Sequence, residues 1–201
     1  MPSESDWRDG FLFVGNQLSL DFLNTQPVID GSPVELLPDP AALLRWLVAA
    51  GLLNKHKSAG LARAWPAKAD RQLQYLRDFR DAYRRVILDR EAGRALPQAF
   101  LSRMNGLLAQ HAYVDEIVGS ESGLARRRRF DPRGPSDALA PVLDAAVDLL
   151  VTADRSRIRK CDSCALQFYD ASKKGTRRWC SMQICGNRSK VAAYAQRQRE
   201  L

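Results

Sequence analysis

Residues 159–190, RKCDSCALQFYDASKKGTRRWCSMQICGNRSK, contain every cysteine of this 201-residue chain: Cys161, Cys164, Cys180 and Cys185. The spacing is C-x2-C, fifteen residues, then C-x4-C. Two close thiol pairs joined by a turn-containing segment suit one tetrahedral ion, because each pair can present two sulfurs from a tight turn or a helix end. Disulfides, iron and an iron–sulfur cluster are the competing uses of four cysteines. The amino-terminal stretch MPSESDWRDGFLF lacks the basic flank and apolar run of a secretory signal. The expectation is therefore a cytoplasmic protein, where paired thiols favour metal, with one Zn2+. Four protein ligands leave no open coordination position, so the zinc is expected to be structural, holding a segment that has little core of its own.

Around the cysteines, Asp162–Ser163 is a turn pair and Leu166, Phe168 and Tyr169 suit a strand. Ser172–Thr176 forms a polar turn around Gly175, and a hairpin is expected to return through Arg178 and Trp179 to Cys180. Ser181 suits the cap of a helix that brings Cys185 back one turn later. Knuckle, hairpin and helix together predict a treble-clef-like four-cysteine finger.

Charge divides the chain. Residues 155–201 carry twelve bases against three acids, leaving nineteen bases and twenty acids in residues 1–154. Nearly all of the formal +8 therefore sits in the tail. Four thiolates on one zinc reduce the tail to about +7, which leaves the asymmetry in place. The expected division is residues 1–154 as a regulatory or sensor domain and 155–201 as a basic finger. The richest apolar stretch, LPDPAALLRWLVAAGLL, is interrupted by Asp39, Pro40 and Arg45 and is too short to span a membrane.

The larger part predicts an α+β domain, predominantly helical with small β-hairpins. Leu18, Leu20 and Phe22 alternate with polar residues, the period of a strand, with Phe11–Val14 as its hairpin partner across Gly15–Asn16. Residues 27–38, with Gly31 and Pro33, are expected to be a loop. Asp39 and Pro40 open a helix carrying Leu43, Leu44, Leu47 and Val48. A longer helix, from about Pro66 to Gly93, has the stripe Leu73, Leu76, Phe79, Tyr83, Val86 and Ile87. Further helices follow Pro97 and Ser136. Between them, residues 112–132 predict a hairpin turning at Gly119–Ser120 into a strand bearing Arg126–Arg129, which either extends a binding surface or solvates an edge.

Two motifs carry a resemblance. WCSMQICGNRSK is similar to the signature of the CGNR zinc-finger family of bacterial proteins, and GNQLSLDFLNT, residues 15–25, is similar to the GNxLxLDFxNT-like opening of the domain that precedes that finger. That domain is called a stress-induced transcription regulator. The resemblance covers both ends of the chain and implies metal ligation by Cys161, Cys164, Cys180 and Cys185, with nucleic acid as the finger's partner. Members often have Ser-Arg-Asn where this chain has Ser172, Lys173 and Lys174.

Clustered bases attract phosphate backbones through counterion release, and beside a zinc module they predict DNA-binding transcription regulation, with DNA ahead of RNA. An RNA-binding protein and a protein-docking finger are the alternatives. The candidate contacts are Lys173, Lys174, Arg177, Arg178 and the helix after Cys185. Projected at about 100° per residue, that helix places Val191, Tyr194, Ala195 and Gln198 on one side, expected to pack. Arg188 with Arg199 and Lys190 with Arg197 form the flanks, and Ser189 and Gln196 on the opposite side are expected nearest base edges. Trp179 suits the small core of the finger. Asp21 and Asn24 suit either a pocket for a small-molecule effector or turn and cap roles. No phosphate loop, dinucleotide fingerprint or HExxH sequence occurs, and His56 and His111 have no nucleophile nearby in sequence, so no enzyme is expected.

Overall fold

The computed structural model describes residues 6–29, 31–65, 69–109, 113–120, 123–133 and 135–199. Trp7–Arg8 (β1) pairs antiparallel with Phe11–Leu12 (β2) across Asp9–Gly10, whose φ angles of 49° and 81° suit a two-residue hairpin turn. The predicted strand at Leu18–Phe22 is instead helix α1, Leu18–Leu23. Alternation misleads here because α1 is enclosed on every side. Ser19 and Asp21 are buried with Leu20, Phe22 and Leu23, and their polarity is answered internally. Tyr83 Oη donates to Ser19 Oγ (3.1 Å), and the Gly15 amide donates to Asp21 Oδ1 (2.7 Å).

Val28–Ile29 (β3) and Ser32–Pro33 (β4) make a two-residue ladder within the expected loop. Helix α2, Pro40–Ala49, starts as predicted, with Asp39 Oδ1 accepting the Ala42 amide (2.7 Å). Helix α3, Lys55–Ala64, was not anticipated; it buries no residue and is marked mainly by its Asn54 cap. Helix α4, Ala69–Glu91, carries the buried stripe, and residues 66–68 of the predicted helix lie outside the described residues. Each buried side chain of that stripe stabilises by roughly 1.5–3 kcal/mol. Phe79 and Tyr83 stack with Phe100 of α5, Gln98–Leu108. Val114–Ser120 (β5) pairs with Gly123–Arg129 (β6), so Gly119 and Ser120 lie in the strand and not in its turn. Helix α6, Leu139–Val151, closes the core against α1 and α5.

The four arginines of β6 are each engaged by an acid: Arg126 by Asp115, Arg127 by Glu116 (2.8 Å), Arg128 by Asp144 (3.6 Å), and Arg129 by Glu116 and Asp131. These pairs are largely exposed and contribute little stability each, but they offset the run's positive charge.

In the finger, Ile158–Lys160 (β7) pairs with Gln167–Tyr169 (β8), so the first cysteine pair lies inside the hairpin turn. The predicted pairing of β8 with the segment before Cys180 does not form; that segment is irregular and meets the knuckle through Asp162 N to Arg178 O (3.1 Å). A π-helical turn, Met182–Gly186, leads into α7, Asn187–Arg199.

The finger is seated on the helical part. Asn24 Nδ2 donates to Gln167 O (2.8 Å) and Asn24 Oδ1 accepts the Gln167 amide (3.0 Å), so one side chain satisfies both backbone groups of a β8 residue. Tyr169 N donates to Gly15 O (2.8 Å) and Asn16 Nδ2 to Tyr169 O (2.9 Å). Leu12 and Val14 complete a small core with Leu166, Phe168, Cys161, Cys180 and Cys185, while Ile158 belongs to the main core.

Candidate metal centre and basic surface

Cys161 closes β7, Cys164 ends the knuckle, Cys180 follows the irregular return, and Cys185 sits in the π-turn. Their Sγ atoms all lie within 4.8 Å of one another, with Cys164 to Cys180 at 3.5 Å and Cys180 to Cys185 at 3.8 Å. Sulfurs at the corners of a tetrahedron around zinc, with bonds near 2.3 Å, stand about 3.8 Å apart. No disulfide links them, and three of the four are buried. The donors fit one zinc ion.

The local fold follows from a few residues. Cys161 N bonds Leu166 O (2.8 Å) and Ala165 N bonds Cys161 O (3.1 Å), with Ala165 at a φ of 60° tightening the knuckle. Ser181 caps the π-turn by accepting the Ile184 amide (3.4 Å) and donates to Asp6 Oδ2 (2.6 Å). The crowded thiols perturb one another: S–H donation from Cys164 holds Cys161 far below the usual thiol range, and its thiolate pushes Cys180 up. Four thiolates this close repel one another, a charge that a divalent cation among them would offset. Arg188 adds to this, with Nη2 donating to Ser163 Oγ (3.0 Å) and toward Cys185 Sγ (3.6 Å). It joins the two cysteine pairs and offsets thiolate charge.

The predicted contact residues separate into two groups. Arg177 and Arg178 have structural tasks: Arg177 donates to Cys180 O over the Phe168 ring, and Arg178 pairs with Asp162 (2.7 Å) over Trp179. Trp179 is half-buried against the cysteine core. Lys173, Lys174, Lys190, Arg197 and Arg199 are exposed. The loop bearing Lys173 and Lys174 is fixed from beneath by Arg157, which donates to Ser172 O (2.6 Å), and Arg159, which donates to Gly175 O (2.8 Å). Those two arginines escaped the sequence reading, although their alternate positions, one just before β7 and one within it, were a usable signal.

Helix α7 departs from expectation. It buries no residue; Val191 is 68% and Tyr194 59% exposed, whereas Ser189, on the opposite side, is half-buried. On that side only Val191 and Tyr194 are large and apolar, with Ala195 and Gln198 completing it, so it offers little surface to bury. Gln196 is exposed like its neighbours.

Asp21 and Asn24 serve the turn at Gly15 and the seat of β8. Burial raises Asp21 to a pKa of about 7 despite the Gly15 amide and Arg8. Neither lines a cleft of about 720 Å³ whose walls include Trp7, Val28, Ile29, Lys160, Ser163 and Arg188. His56 is exposed on α3, and His111 lies outside the described residues. No described helix is long and apolar enough to cross a membrane.

No curated protein matches the chain. Residues 157–198 match the CGNR zinc finger, and the four cysteines are positioned to bind one metal ion, consistent with one structural zinc. Residues 16–153 match the family ABATE, described as "Putative stress-induced transcription regulator". With that profile covering most of its length and the finger following directly, the chain belongs to the ABATE family and ends in a CGNR zinc finger.

Proposed function

We propose that this protein is a bacterial, cytoplasmic, non-enzymatic regulator of transcription whose zinc finger binds DNA through a basic surface. The observation that carries the reading is α7: thirteen residues with four bases, no acid and no buried side chain. A helix that buries nothing adds little to the core; Arg188 is held by Ser163, and exposed Lys190, Arg197 and Arg199 are left to meet a partner. Lys173 and Lys174 lie on the same finger and supply a second basic point. The paired arginines of β6 are not part of this surface. Zinc acts by fixing the fold that presents the bases.

The test uses the full zinc-loaded chain, titrated with labelled DNA duplexes between about 50 and 200 mM salt, with matched RNA duplexes as competitors. Affinity should fall with salt. Replacing Lys190, Arg197 and Arg199 together by alanine should reduce the log–log slope by about 0.9 for each phosphate that is no longer neutralised. Absence of DNA binding at the lowest salt would overturn the proposal, and stronger competition by RNA would transfer it to RNA.

A further inference from the structure

We propose that α7 enters the major groove of a DNA duplex with its Val191, Tyr194 and Gln198 side toward the base edges, and that these three residues set sequence preference. The inference rests on the proposed function and specifies how the helix would be used. Its ground is the orientation of α7 on the finger. The first turn leans on the knuckle through Arg188, bound to Ser163, and the neighbouring Ser189 is half-buried. Measured from Arg188 at about 100° per residue, Ser189 lies near 100°, whereas Tyr194, Gln198 and Val191 lie between about 240° and 300°. The side bearing Val191 and Tyr194 therefore points away from the body, the reverse of what its sequence suggests.

Charge identifies the occupant. Arg199 lies on one flank of that outward side and Lys190 with Arg197 on the other, each roughly a quarter-turn or a little more from its centre. The helix carries no acid. Long bases on both flanks suit the two phosphate walls of a groove, with the strip between them against the bases. A second copy of the same helix would bring like charges together, which disfavours self-pairing. Dimensions favour DNA: a helix of this length spans about 20 Å and is roughly 10–12 Å across, comparable to the major groove of B-DNA at about 12 Å. The deep, narrow major groove of A-form RNA does not admit it.

The strip has suitable chemistry. Val191 and Ala195 can contact thymine methyl groups, Gln198 can make paired hydrogen bonds to adenine, and Tyr194 offers a ring edge and a hydroxyl. The small polar residues Ser189 and Gln196 lie on the other side.

The experiment selects duplexes from a random DNA pool with the full zinc-loaded chain, then measures Val191→Ser, Tyr194→Ala, Gln198→Ala, Ser189→Ala and Gln196→Ala on the selected and a scrambled duplex. All five positions lie outside the buried core, and zinc content with far-UV circular dichroism checks that each variant is folded. The expected result is a loss of about five-fold or more on the selected duplex for the first three variants. Their binding to the scrambled duplex should change by less than about two-fold, because the phosphate contacts remain. If preference instead follows Ser189 and Gln196, or if the Val191 and Tyr194 variants convert a dimer to a monomer without altering selectivity, the orientation is wrong. Failure of the unmodified protein to bind any duplex would remove the proposed function itself, whereas binding with unaltered preference in all three variants overturns only this orientation.

Discussion

Replacing Asn24 by alanine should loosen the finger from a site more than 130 residues before the first cysteine. Asn24 is fully buried, and its amide satisfies both the N–H and the C=O of Gln167, itself 1% exposed. Alanine strands both backbone groups away from water. At about 1–3 kcal/mol for each orphaned group, the loss should be on the order of 4 kcal/mol, a large share of a typical stability of about 5–15 kcal/mol. Asn24→Asp keeps the acceptor for the Gln167 amide but sets a carboxylate against its carbonyl, so it should not rescue. The assay is urea unfolding of the zinc-loaded full chain, together with the rate of zinc release to a chromogenic chelator. Release should quicken at least about ten-fold, since 1.4 kcal/mol corresponds to a factor of ten. A stability loss below about 1 kcal/mol, or a large loss with unchanged zinc release, would refute the idea that this amide seats β8.

Three further outcomes are expected. Chelating zinc should remove hydrogen-exchange protection from the Tyr169 amide, which bonds Gly15, along with the knuckle amides; retention at Tyr169 would mean that the seat forms without metal. Gly15→Ala should destabilise by about 1–3 kcal/mol or more, because a Cβ there would lie 2.8 Å from Leu20 Cβ and 2.9 Å from the Asp21 backbone nitrogen, whereas Gly186→Ala should cost under about 1 kcal/mol because its closest neighbour is the movable thioether of Met182; equal melting-temperature shifts would contradict this. Burial raises Asp21 from 3.8 to about 7, so the folded state keeps a proton that the unfolded chain releases, and stability falls as pH rises from about 4 to 7. Asp21→Asn should remove this contribution, on the order of 4 kcal/mol across that range, and a wild-type-minus-variant difference that is flat with pH would dismiss it.

The metal ligands were legible because cysteine spacing reports a local constraint that few other structures impose. Helices α2, α4 and α6 were legible too, since each has one wet and one dry side or a recognisable start. Helix α1 was not, because burial on all sides leaves no contrast between faces and its polar Ser19 and Asp21 imitate strand alternation. The hairpin of β1 and β2 had a signal in Asp9–Gly10 that the neighbouring Gly15–Asn16 obscured. Arg177, Arg178 and Arg188 resembled free charges, yet their partners lie in the knuckle or beside the metal, and contacts across a folded loop leave no periodic trace.

The seat between the first and last parts of the chain also orders events in time. Asp6 bonds Ser181 and Asn16 bonds Tyr169, pairs separated by 175 and 153 residues along the chain. As the chain leaves the ribosome, Leu12 and Val14 have no finger to cover them until the cysteine-bearing segment has emerged. Completion of the segment around β2 therefore waits on the cysteine-bearing residues far along the chain, and on metal to fold them. A fragment ending before β7 would carry that unmet apolar surface for its lifetime, making truncated chains candidates for aggregation or proteolysis.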